Sequence, residues 1–454
     1  STPLYSSAAS DVYKRQEHNF TNPGAKVLLI GYDDLNAVLD RLHERIGGKT
    51  PLESLQRTRL VDHMDAMLYS VVPRVVDSVL GQVTGDDLIE LPSEGRRSDS
   101  RRTAGKLDRV ARRDLLLLQA LYDRPDNAPQ RTIALRRRLR VLPPAAVLWG
   151  RFLLILVPLL LIAGLVWSRW FAPADMTAAQ HDWTAWALVA LTAIYAICAL
   201  KLGVWDRLRL LRTAHRIRRQ IRINARGDVS YARSLRQLGA AWRDAAHLPL
   251  TDSDDPRYSF IERLRRVLRC FGYSGMMVVV DRVDEPTMVS GDPDRMKAVI
   301  WPLLNNKFLQ QEGVGLKLLL PMELRHAVFR ESSAFFQEAR LDKQSLIEHL
   351  AWTGPMLFDL CNARMAVCKH RDAPELTLLD LFAEDVTRQD LVEALDRLHQ
   401  PRDAFKMMYR CITEHCAGVT KGQNEWKVPR HVLMSVVKSE SARVQDVYRG
   451  IRPG

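Results

Sequence analysis

Met276 to Pro286 reads MMVVVDRVDEP, an apolar run that ends abruptly in carboxylates. Continuous rather than alternating apolarity is the pattern of a strand buried on both faces, as in a parallel sheet covered by helices. Ligands of open α/β sheets sit beyond the carboxyl ends of such strands, so Asp281 falls where chemistry would be placed. A core strand closing in a solvated acidic turn is spelled the same way, and both readings stay open at this point.

The flanks favour a strand within a helix–strand–helix–strand unit. Tyr258, Ile261, Leu264, Val267, Leu268 and Phe271 recur at helical spacing, and Gly272 and Gly275 end that helix before the apolar run begins. Downstream, Asp292 and Pro293 form a helix start, Met296, Val299, Ile300, Leu303, Leu304 and Phe308 supply one apolar face, and Gly313 and Gly315 stop it. Leu316 to Leu320 then reads LKLLL, a second strand expected to return parallel to the first through the helical crossover.

Four or more apolar residues followed by D-x-x-D-E resembles the Walker B element of P-loop NTPases. That resemblance implies ATP and Mg²⁺ as cofactors: Asp281 would hold Mg²⁺ through its water shell, and Glu285, or else Asp284, would polarise the attacking water. In members with an extra strand between the phosphate loop and Walker B, that strand ends in a polar sensor. Here Pro321 follows at once, leaving Glu323 or Arg325 as candidates to approach a γ-phosphate.

The phosphate loop itself, G-x-x-x-x-G-K-[ST], is missing. Gly47-Gly48-Lys49-Thr50 ends in the correct letters, but His43 stands where the first glycine belongs. Leu35, Val38, Leu39, Leu42 and Ile46 lead into it as a helical stripe, so Gly47 and Gly48 read as a helix stop. Ser6 to Gln16, SSAASDVYKRQ, resembles adapter sequence read through as protein, and residues 1–16 are set aside from fold reasoning. The natural chain is expected from about Glu17, with the phosphate-loop strand expected before it and Ala25 to Gly31, AKVLLIG, as the next strand in.

Two apolar segments of nearly membrane length follow. Phe152 to Ser168 and Trp183 to Leu200 carry no charge, and tryptophans stand around their ends. Arg131, Arg136, Arg137, Arg138 and Arg140 precede this pair; Lys201, Arg207, Arg209, Arg212, Arg216, Arg218, Arg219, Arg222 and Arg226 follow it. Against Asp206 these account for the whole net charge of +13, so the charge is explained by a membrane hairpin with both flanks cytoplasmic, beside anionic lipid headgroups. Nucleic acid is not expected as a partner on this reading; a homo-oligomer or protein partners are.

A two-helix membrane hairpin lying before a Walker B strand is similar to the arrangement of KAP-type P-loop NTPases, over about Lys26 to Cys416. The resemblance implies a bacterial inner-membrane ATPase, with roles in signalling complexes or phage exclusion. Beyond Arg325 no strand is predicted, and helices are expected at Ser345 to Ala351, Pro355 to Cys368, Arg388 to His399, Arg402 to Cys416 and Arg430 to Tyr448. Such a segment resembles the lid of related NTPases, in which a basic residue reports on the γ-phosphate; Arg402 is the candidate. Cys411, His415 and Cys416 share one predicted helix, but their spacing does not converge on a metal without a further segment.

The expected fold is therefore α/β: a partial P-loop NTPase parallel sheet, an inserted transmembrane hairpin and an all-helical lid. Its divisions are a helical remnant over 17–140, the hairpin over 141–205, a basic juxtamembrane helix and linker over 206–257, the Walker B and sensor part over 258–325 and the lid over 326–454. The expected activity is ATP hydrolysis driving a conformational or assembly switch, with this chain inactive for want of a phosphate loop. A non-catalytic two-helix membrane scaffold is the alternative.

Overall fold

The computed structural model describes residues 26–31, 35–82, 105, 107–143, scattered positions between 156 and 203, and 204–449 apart from 244–246, 305–307, 309–310, 342–346, 348–350, 369–375 and 420–424. Most of the apolar pair at 152–200, all but Gly105 of the loop that the Gly, Ser and clustered charges over Thr84 to Gly105 predict, and most of the helix expected at 345–351 lie outside the described residues.

In chain order the elements are β1 (Lys26–Gly31), α1 (Leu35–Ile46), α2 (Pro51–Gln56), α3 (Leu60–Leu80), α4 (Arg109–Tyr122), α5 (Ala128–Arg138), α6 (Asp206–Gln220), α7 (Asp228–Leu235) and α8 (Asp255–Cys270). They continue with β2 (Tyr273–Val280), α9 (Pro293–Ile300), β3 (Val314–Leu318), α10 (Met322–Phe329), α11 (Ser333–Glu338), α12 (Gly354–Cys368), α13 (Arg388–Asp396), α14 (Pro401–Gly418) and α15 (Arg430–Tyr448).

Helix dominates, and the sheet is small. Strands of 6, 8 and 5 residues form one sheet in the order β1-β2-β3, both pairs parallel. This corrects the expected fold class, an α/β sheet carrying a transmembrane hairpin. No helix among the described residues is long and apolar enough to cross a membrane, which also overturns the multi-pass inner-membrane assignment. The reason lies in what covers the strands: α3 is buried almost all round and packs in one cluster with β2, so helix supplies the cover that the strands' apolarity demands.

The sequence predicts an amphipathic stretch over Arg57 to Leu80 that is interrupted at Pro73, but Pro73 sits inside α3, which continues to a left-handed Gly81 cap. Burial holds the helix together across the missing N–H. Met64, Val71, Val72, Val75, Val76 and Val79 are wholly or almost wholly excluded from solvent and pack in one cluster with Leu117 of α4, Leu264 of α8 and Val278 and Val280 of β2. Removing that much apolar surface from water outweighs the loss of one helical hydrogen bond, which is worth about 1 kcal/mol net.

Two carboxylates inside this core are matched by arginine. Asp62 of α3 receives the Arg222 guanidinium, and Asp114 of α4 accepts from Arg263 and Arg266 of α8 at 2.6 Å each. A buried carboxylate left alone would be far more costly, which is why each acid meets an arginine from a distant segment.

A second, separate apolar cluster lies in the carboxyl-terminal helices and includes Leu357, Leu391, Leu395, Met407, Val436 and Val444. The α13 start is a capping box between Thr387 and Asp390, as its sequence predicts. Gly354 lets α12 approach α13, since a Cβ there would fall 2.2 Å from the Val392 carbonyl oxygen.

Candidate functional site

β2 is the middle strand, bonded to β1 on one side and β3 on the other, with Val280 opposite Leu318. Its tip delivers Asp281, only 7% exposed, to the carboxyl end of the sheet. Oδ1 of Asp281 accepts from the Arg282 backbone N–H at 2.9 Å. Arg282 is left-handed, at φ 56°, a conformation unusual for a residue with a Cβ. That turn buries Val283 and sends the chain back on itself.

Asp284 is half-buried and Glu285 is exposed in the same turn. The Asp284 carbonyl accepts from the Gly291 N–H at 3.1 Å, and the Glu285 N–H donates to the Arg282 carbonyl at 3.2 Å. The Arg282 guanidinium lies 3.4 Å from Glu285 Oε2. Asp292 then caps α9, accepting from Asp294 N at 2.9 Å and Arg295 N at 3.1 Å, with Pro293 in the first turn. Asp281, Asp284 and Glu285 thus share one turn, as the spelling of the segment predicts.

The crossover is also as expected: α9 leads into β3, which pairs parallel with β2 but begins at Val314 rather than Leu316. Leu319 N–H donates to the Val280 carbonyl at 2.9 Å, which brings the end of β3 beside Asp281. Arg325 and Glu323 stand on α10, which starts immediately after that end. Arg325 is near enough to Tyr448 of α15 to bear on its ionisation. Arg402 is exposed in the first turn of α14, close to Lys406.

Gly47 is left-handed at φ 60°, and its N–H donates to His43 O at 3.0 Å, closing α1. Thr50 caps α2 by accepting from Glu53 N at 3.2 Å. The pair Gly47-Gly48 is a helix stop, as its context indicates, and no phosphate loop is present among the described residues.

The donor set at the β2 tip is oxygen only, the chemistry that suits a hard cation. No group of three or more His, Cys, Asp or Glu side chains able to hold a metal occurs among the described residues, so any Mg²⁺ here would depend on Asp281 together with ligand oxygens. The Cys411–His415–Cys416 helix does not provide an alternative. Burial pushes the Cys411 thiol up to about 12, Cys416 points to solvent, and His415 Nε2 lies 3.0 Å from the Glu425 carbonyl. A small gap beneath the sheet, lined by Ile30, Met67, Ile261, Leu264, Met276 and Phe308, has apolar walls and offers nothing to orient a polar ligand.

Arg282 is the participant that pattern reading overlooked. Its letter carries no signal between Asp281 and Val283; only the backbone angle distinguishes it.

Comparison with known proteins returns no matching family model, no matching curated protein and no matching solved structure.

Proposed function

We propose that the β2 tip is the acidic half of a nucleotide-hydrolysing site of the P-loop class, of the kind the KAP-type resemblance implies. The observation that carries this reading is the placement of Asp281, buried at the carboxyl end of the middle strand of a parallel sheet. Sheet order supports it further. With β2 as the Walker B strand, β3 takes the place of the extra strand, and its outer side is where a phosphate-loop strand would pair.

In this reading Asp281 orients Mg²⁺ and Glu285, or Asp284, accepts a proton from the attacking water, with Arg325 and Arg402 as reporters on the γ-phosphate. The Arg282–Glu285 pair does not stand in the way. Both side chains are substantially exposed, at 30% and 47%, and such pairs are worth about 1 kcal/mol or less, so Glu285 can leave its partner at little cost. The same pair also fits a second reading, a non-catalytic scaffold in which the acidic turn is structural.

Binding separates the two without requiring turnover. Mn²⁺ replaces Mg²⁺ as a paramagnetic probe, titrated with ATP into the chain. Asp281→Asn is expected to weaken Mn²⁺–ATP binding at least about tenfold, the loss of one charge-assisted hydrogen bond to the metal's water shell. Glu285→Gln should leave binding intact. Equal binding by the Asp281→Asn variant, or none by the parent chain, decides for the scaffold.

A further inference from the structure

No helix among the described residues is long and apolar enough to cross a membrane, and α6 is rich in arginine. The sequence of that helix, DRLRLLRTAHRIRRQ, contains no lysine and one acid. Ala214 and Ile217 are buried, which fixes the inward face. On the opposite side, Arg209, Arg212, Arg216 and Arg219 recur at spacings of three and four and are all exposed.

The local carboxylate is already engaged elsewhere. Asp228, at the start of α7, meets His215 Nδ1 at 3.1 Å and Arg218 Nη1 at 3.4 Å, and no ion pair is formed by the four stripe arginines among the described residues. α7 also packs against α5, where Thr132 Oγ1 and Ser234 Oγ are 3.1 Å apart. Arg137 and Arg140, at and just after the end of α5, are exposed as well.

We infer that the outer face of α6 binds the phosphate backbone of a nucleic-acid duplex, independently of base sequence. The ten helical steps from Arg209 to Arg219 span about 15 Å, and phosphates of one duplex strand advance about 3.4 Å each along the axis, so the row matches about four of them. Arginine suits this task because its planar fork can hold two phosphate oxygens at once. A helix that lies in a membrane surface must bury an apolar face there. The apolar face of α6 is already committed to the protein interior, leaving charge outward; Trp205 and Leu208, 61% and 43% exposed, stand only at its beginning.

The test is fluorescence anisotropy of a labelled 20-base-pair DNA duplex of mixed sequence, titrated with the full chain from 50 to 200 mM salt. Binding is expected to weaken with salt along a double-logarithmic slope of about −3 to −4, as four displaced counterions require. Replacing Arg209, Arg212, Arg216 and Arg219 by Gln should reduce affinity at least about tenfold and flatten the slope toward zero. Circular dichroism reports whether that variant folds, and the milder pair Arg212→Gln/Arg219→Gln should halve the slope if it does not. A duplicate set with Arg109→Gln/Arg113→Gln on α4 should match the parent chain. No duplex binding at 50 mM salt, undiminished binding by the stripe variants, or binding to phosphatidylserine vesicles without binding to duplex would each overturn the inference.

Discussion

Arg257 of α8 places its guanidinium against the carboxylate of Asp65 of α3, Nε to Oδ1 and Nη2 to Oδ2 both at 3.2 Å, with neither side chain reaching solvent. The Tyr122 hydroxyl of α4 donates to the same Oδ1 at 2.7 Å. Three helices are joined at one carboxylate, and α8 leads directly into β2, so this junction sets where the strand bearing Asp281 begins.

Breaking that junction from one side leaves a charge stranded in an apolar interior. Arg257→Met should therefore destabilise the chain by about 3–5 kcal/mol, read from urea unfolding midpoints. Removing both charges, as Asp65→Leu with Arg257→Met, should recover most of that loss. A double variant no more stable than the single one would show that the pair contributes more than mutual neutralisation.

His63, two residues before Asp65 in α3, is buried, and burial holds its imidazole down to about 4 against an ordinary 6.5. In the unfolded chain it takes up a proton near pH 6.5, so between about 6.5 and 4 the unfolded state binds more protons and stability falls as pH falls. The full effect is roughly 3 kcal/mol, complete near pH 4. His63→Gln should show a shallower decline across that window in urea unfolding at pH 7, 6 and 5. Parallel declines would exclude His63 as the acid-sensitive group.

At the β2 tip, the left-handed backbone of Arg282 predicts a separation of stability from binding. Glycine adopts that angle without steric cost, so Arg282→Gly should be as stable as the parent or up to about 1 kcal/mol more so, while Arg282→Val should lose about 1–2 kcal/mol. If the turn positions the Asp281 carboxylate, the glycine variant should nonetheless bind Mn²⁺–ATP more weakly. Thermal unfolding and the same metal titration measure the two effects on one sample.

What could be read in advance was set by local rules. β1, β2, the α9 crossover and the helices α12 to α15 follow from apolar periodicity, proline and glycine positions and the Thr387–Asp390 box. The acidic turn at Asp281, Asp284 and Glu285 was legible for the same reason. The size of the sheet was not, because a buried helix such as α3 and a large sheet satisfy the strands' need for cover equally well, and residue spacing does not choose between them. Pro73 misled because its cost is local whereas the burial that overrides it comes from Leu117, Leu264 and the strands, remote in the chain. The basic residues over 131–226 read, by their order along the chain, as membrane topology; that Arg131 meets Asp77 and Asp123, Arg222 meets Asp62 and Arg218 meets Asp228 depends on packing that no local pattern records.

Among the described residues, β3 is hydrogen-bonded only to β2, so its other margin presents a row of main-chain donors and acceptors to any extended segment that drifts alongside. Lys317, the exposed fourth residue of that five-residue strand, puts a positive charge where two copies would have to meet. Like charges brought together in that way discourage fibre growth, so a single ammonium group stands between an open margin and self-templated aggregation.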